Sequence, residues 1–129
     1  MEQKVAQVFD FRAFQAINAV RGRRWHQGDT SQWTPLEWAG AMCGEAGEAA
    51  NAAKKLRRLD LHLPNREAGI PKTDVDKLKM HVAKECADTI IYALLLMSEM
   101  GVDASDVIAD VFDQKSIEYG FPERTRGEQ

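Results

Sequence analysis

The sequence predicts an all-α fold: a four-helix core of the kind that is completed by oligomerisation. Three observations carry this. Four segments repeat apolar residues every three or four positions, none alternates apolar and polar residues as a half-buried strand does, and Gly and Pro punctuate the stretches between them. At 129 residues the chain has the length of one domain, so a single domain over 1–129 is expected. A charged share of 29% and a net charge of −3 give no global attraction to nucleic acid or anionic membrane. Helices this short and this apolar expose more apolar surface than a small monomer can hide, hence a homodimer or homotetramer.

The first helix is expected from about Val5 to Val20, where Val5, Phe9, Ala13, Ala16 or Ile17, and Val20 draw one apolar stripe. The connector RGRRWHQGDTSQW follows, with Gly22 and Gly28 as breakers. A sharp start marks the second helix: Thr34 offers a capping hydroxyl, Pro35 suits the first helical position, and Glu37 sits at the reciprocal capping position. It should run to about Arg58, because Lys54, Lys55, Arg57 and Arg58 suit the negative end of a helix dipole. Pro64, Gly69 and Pro71 then mark a long loop over 59–73, to be read as a flap, an oligomer contact or a disordered segment. The third helix is expected from Thr73 or Asp74 to just before Gly101, a natural left-handed terminator. Asp103 should cap the fourth, which reaches about Tyr119 and leaves FPERTRGEQ as a tail expected to fray at its end.

The opening MEQKVAQVFDFRAF lacks the basic start and apolar core of a signal peptide. The longest nearly apolar run, IIYALLLM, is far below the ~18 residues of a membrane span. A cytoplasmic protein without membrane attachment is the expectation. Cys43 and Cys86 lie inside helical patterns without CxxC spacing and read as reduced, small core residues.

Chemistry concentrates in two places. In KECADTIIYALLLM the acids Glu85 and Asp88 are three residues apart and share a face, with Tyr92 one turn on. In AGAMCGEAGEAANAA, Glu45, Glu48 and Asn51 are the polar side chains among small ones. Both helices read as core elements, so each buries a carboxylate pair. An ionised carboxylate in an apolar interior must protonate, pair with a base or coordinate a metal, and neither segment embeds a Lys or Arg. Oxygen ligation by Glu45, Glu48, Glu85 and Asp88 favours Mg²⁺, with Mn²⁺ as a substitute. A ferritin-like iron site would place His where this chain has Glu48 and Asp88. The plainer alternative is that these acids line a solvated face, as most helical Glu residues do. Gly44, Ala46, Gly47 and Ala49 would let another helix or a ligand come close.

GEAGE, then KECADTIIY, then KSIEYGFPER resemble the all-α nucleoside triphosphate pyrophosphohydrolases, the MazG-like group that includes the dimeric dUTPases and the dCTP pyrophosphatases. The resemblance covers about Trp25 to Arg124, with Gly44 where many relatives carry a Glu and a longer gap than usual between Glu48 and Glu85. It implies cleavage of a (d)NTP between the α and β phosphates, in nucleotide-pool control or house-cleaning. It also implies that Glu45, Glu48, Glu85 and Asp88 hold Mg²⁺, with Glu45 and Glu48 catalytic and Glu48 orienting the water. Tyr92 becomes the base-side aromatic, and Trp25 or His26 a further base contact. Lys55, on the face of Glu48, and Lys115 are candidates to meet phosphates; the plainer role for Lys55 is a cation at a helix end. Tyr119 or Phe121 would close the pocket, and Asp113 falls where relatives often have Asn. Phe112, Ile117 and Phe121 otherwise read as packing residues, as do Trp33 and Trp38.

Two rival readings come from other classes. One is a catalytically silent helical protein that keeps the acids for structure or metal-dependent assembly. The other is a nucleic-acid module using RGRR and KKLRR; the net acidic balance counts against it, so no stable nucleic-acid partner is expected.

Overall fold

Side chains that can accept backbone N–H groups set the helix starts. Asp10 accepts from the Ala13 N–H at 2.9 Å, Thr34 from Leu36 at 3.3 Å, and Asp103 from Ser105 at 2.9 Å. The structure, a computed structural model, describes residues 9–63 and 75–127. Within these residues all regular structure is helical: α1 (Phe11–Trp25), α2 (Pro35–Asp60), α3 (Val75–Glu99) and α4 (Ala104–Tyr119). The capping box at Thr34 and Glu37 is complete, with Pro35 as the first helical residue. Gly101 (φ 70°) follows α3 and Gly120 (φ 72°) closes α4, both in the left-handed conformation that glycine adopts without strain. The start expected at Thr73 or Asp74 and most of the 59–73 loop lie outside the described residues, although α2 continues to Asp60.

The chain divides into two compact units. One joins α1 and α4 (Met1–Thr30 with Met97–Gln129) and the other holds α2 and most of α3 (Ser31–Leu96).

In the first unit, α1 packs on α4. The stripe expected on α1 points the wrong way: Ile17 and Val20 are 61% and 42% exposed, whereas Gln15 and Asn18 are buried. The reason lies in the turn after α3. Gln15 Nε2 donates to the Ser98 hydroxyl (3.2 Å) and the Val102 carbonyl (3.0 Å), while its Oε1 accepts from the Ala104 N–H (2.8 Å). One amide thus satisfies the polar groups of the α3–α4 turn, a role no apolar side chain can fill. The helix also begins later than expected, after Asp10, and runs through Gly22 to Trp25; Val5 lies outside the described residues. Gly28, with φ of 84°, is the real breaker.

In the second unit the buried residues are Trp38, Ala52, Leu78 and Leu94. Trp33 lies 4.5 Å from Trp38, and Trp38 lies 6.5 Å from Tyr92, measured between ring centroids. Packing is therefore the role of Trp38. α3 reads from the sequence as a core element, yet Ile90 is half exposed, and Cys43 and Cys86 are exposed free thiols instead of core residues. A side chain placed at Gly44 or Gly47 would meet nothing within 4 Å, so among the described residues no helix makes the close approach expected there.

Phe112, Ile117 and Phe121, expected to pack, are 47%, 58% and 58% exposed. Over residues 121–126 the tail is held, with Thr125 and Arg126 bonding back to Asp113 and Asp110 of α4, and the end expected to fray lies at residues 128–129, outside the described residues. No helix of the described residues is long and apolar enough to cross a membrane.

Candidate functional site

The three-residue spacing within each acidic pair puts its members on one helix face, and the α2–α3 unit turns those faces together. Glu45 of α2 and Glu85 and Asp88 of α3 each offer a carboxylate oxygen, all within 4.8 Å of one another. Glu45 and Glu85 are half-buried and Asp88 is exposed. The expectation of four core carboxylates is therefore corrected on burial: Glu48, also exposed, stands one turn along α2 and outside this trio. It is still close enough to act on Glu45. Desolvation, followed by the negative charges of Asp88, Glu48 and Glu85, pushes the Glu45 carboxyl above its ordinary range.

Among the described residues no Lys or Arg pairs with any of the four acids. The nearest basic partner is His81, whose Nδ1 lies 3.6 Å from Glu85 one turn earlier on α3. Three carboxylate oxygens at this separation suit a hard divalent cation, which takes oxygen ligands and keeps water in its remaining positions. Among the described residues no sulfur and no imidazole joins the trio, which disfavours a zinc or iron preference.

Tyr92 follows Asp88 by one turn on α3, and its ring continues into the Trp38–Trp33 pair. Acids and rings thus occupy one seam of the same unit. Lys55 is half-buried further along α2, and Lys54 donates to Asn51 Oδ1 at 2.9 Å. Trp33, a ring of the kind that can stack on a base, adds to this seam and stands just before the Thr34 cap of α2.

Trp25, His26 and Lys115 belong to the other unit, where each has its own surroundings. Trp25, the last residue of α1, is 82% exposed. His26 caps α1, its backbone N–H donating to the Gly22 and Arg23 carbonyls at 3.3 and 3.1 Å. Lys115 pairs with Glu118 at 3.3 Å and lies 5.7 Å from the Tyr119 ring centroid.

No family model matches the chain, and no curated protein and no solved structure matches it either.

Proposed function

We propose that this chain is a Mg²⁺-dependent nucleotide pyrophosphohydrolase of MazG-like type, converting a (d)NTP to the (d)NMP and pyrophosphate in nucleotide-pool control or house-cleaning. The observation that carries the reading is the convergence of Glu45, Glu85 and Asp88 without an answering Lys or Arg among the described residues, in the sequence contexts GEAGE and KECADTIIY. A polyphosphate with its cation is the substrate class that such an acidic face accepts, because the cation screens one anion from the other.

Glu45, Glu85 and Asp88 would hold the Mg²⁺, with Mn²⁺ as substitute. When bound, that ion supplies positive charge against the phosphates and makes water more acidic. Glu48 stands outside the trio, one turn on, and is assigned to orient the attacking water and accept its proton. The water oxygen bonds to phosphorus, the Pα–O–Pβ bridge breaks, and the pyrophosphate leaves with the bridging electrons. Tyr92, at the ring end of the seam, takes the base side, and Lys55 meets terminal phosphate. Trp25, His26 and Lys115 are proposed as further substrate contacts on the strength of the resemblance.

A homo-oligomer fits the same reading. Ile108, Val111 and Phe112 recur on one face of α4 and are 48%, 59% and 47% exposed, surface that a second copy would cover.

One observation favours a second reading. Glu48, on which turnover depends, does not join the trio, as would suit a catalytically silent helical protein that binds metal only for assembly. A hydrolysis panel of canonical and modified dNTPs and NTPs separates the two. The enzyme reading expects monophosphate plus pyrophosphate, dependent on Mg²⁺ and reduced at least about a hundredfold by Glu48→Ala, the scale of one lost general base. Metal binding by a folded protein without turnover of any triphosphate would favour the silent one.

A further inference from the structure

The α1–α4 unit carries a second row of acids. Asp103, Asp106, Asp110 and Asp113 recur at three- and four-residue spacing and share one face of α4. Each is answered. Arg12 of α1 reaches Asp103 at 2.7 Å and Asp106 at 3.1 Å. The rest of the row is met by the tail: Arg126 pairs with Asp110 at 2.8 Å and Asp106 at 3.8 Å, and also donates to the Asp106 carbonyl at 3.2 Å. Asp113 Oδ1 accepts from both the backbone N–H of Thr125 (2.7 Å) and its hydroxyl (3.0 Å).

These contacts have a direction. The chain reverses at Gly120, whose φ of 72° suits glycine, and Thr125 meets Asp113 while Arg126 meets the earlier Asp110 and Asp106. The tail therefore runs back along α4. Arg124 shapes the bend by donating to the Phe121 and Glu123 carbonyls at 2.7 and 2.8 Å.

We propose that residues 121–126 form a charge-latched strap, closed on α4 through Asp113 and Arg126 and opened when those charges are screened or neutralised. The strap keeps Phe121 stacked on Tyr119, with centroids 6.3 Å apart, next to Lys115; opening releases that pair. Its bonds lie at the surface, where ion pairs are weak and salt-sensitive, and that makes a reversible clip instead of a permanent seam. The inference is independent of the nucleotide reading.

The groups facing Asp113 are Thr125, Arg126 and Arg124 from the tail. Asp110 lies one turn away on α4, and Arg12 of α1 is engaged with Asp103 and Asp106. The Thr125 N–H, then its hydroxyl and the two arginines, hold the Asp113 carboxyl below its usual range. The clip is accordingly whole above the ordinary aspartate range and is lost as pH falls through the lowered value.

Amide exchange of Thr125, followed by NMR in the full chain, reads the clip directly. At neutral pH and low salt this amide should be protected. Asp113→Asn, Arg126→Gln or roughly 0.5 M salt should each speed its exchange about three- to tenfold, as expected for a weakened charge-assisted bond, with α4 amides unchanged. If either variant loses helicity, the salt titration of the wild-type chain decides. A Thr125 amide that exchanges at the same rate in low and high salt and in both variants would overturn the latch.

Discussion

Glu45, Glu85 and Asp88 on α2–α3 are drawn together, whereas Asp103, Asp106, Asp110 and Asp113 are strung along α4, and the two sets of acids stand under opposite conditions. The α4 row is matched by Arg12, Arg126 and the Thr125 amide, whereas among the described residues the α2–α3 trio has only His81 at 3.6 Å from Glu85. The environments leave opposite marks: Glu45 is pushed up, mainly by desolvation and then by its acidic neighbours, and Asp113 is pushed down, first by the Thr125 N–H. Acids with partners are architecture. Acids gathered with no described Lys or Arg beside them repel one another, which makes sense where a cation is to arrive.

The strongest way to break this comparison is to remove a donor from the trio. Glu85→Gln should weaken Mg²⁺ or Mn²⁺ affinity by at least about tenfold, measured by calorimetry, because it takes one carboxylate from a three-oxygen set. In the matched unit, Gln15→Ala should lower unfolding free energy by about 2 kcal/mol in a denaturant titration, since it leaves the Ala104 N–H and the Val102 carbonyl without their partner.

A subtler contrast is one of sign. The raised Glu45 carboxyl makes ionisation unfavourable in the folded chain, a penalty absent at low pH that develops as pH rises through the ordinary Glu range to the raised value. In the metal-free protein Glu45→Gln should therefore raise the melting temperature at neutral pH and leave it unchanged in acid, while the metal-saturated protein loses stabilisation. That stabilisation is about 2.7 kcal/mol for the wild-type chain at a hundredfold excess over Kd. Asp113 gives the reverse profile: its lowered carboxyl contributes above the ordinary Asp range and stops contributing as pH falls through the lowered value. Asp113→Asn should show the smallest effect, a slight loss of stability at neutral pH that vanishes in acid.

The helix starts were legible because caps are local: Thr34 with Pro35 and Glu37, and Asp103, need only their own neighbours. Gly101 and Gly120 were legible as stops for the same reason. Side-chain orientation was not. The Ile17–Val20 stripe looked inward by periodicity, yet Gln15 took the inner position because a turn more than 80 residues away needed an amide. The acid trio was readable from spacing, since i, i+3 pairs on two adjacent helices have few ways to miss each other. Glu48 was not separable from Glu45 by that rule, because the crossing of α2 and α3 decides which turn faces the partner. The return of the tail along α4 was not legible, because its contacts, Thr125 with Asp113 and Arg126 with Asp110, reverse the chain direction and leave no periodic trace.

The most direct test of the central claim is a calorimetric titration of Mg²⁺, repeated with Mn²⁺, into the wild-type chain and into the Glu45→Gln/Glu85→Gln double variant at neutral pH. Saturable binding to the wild type, abolished in the folded double variant and weakened as pH falls through the raised Glu45 range, is the expected result. Equal binding to both chains, or none to a folded wild type, would contradict the claim that the unmatched acids of α2 and α3 are a cation site.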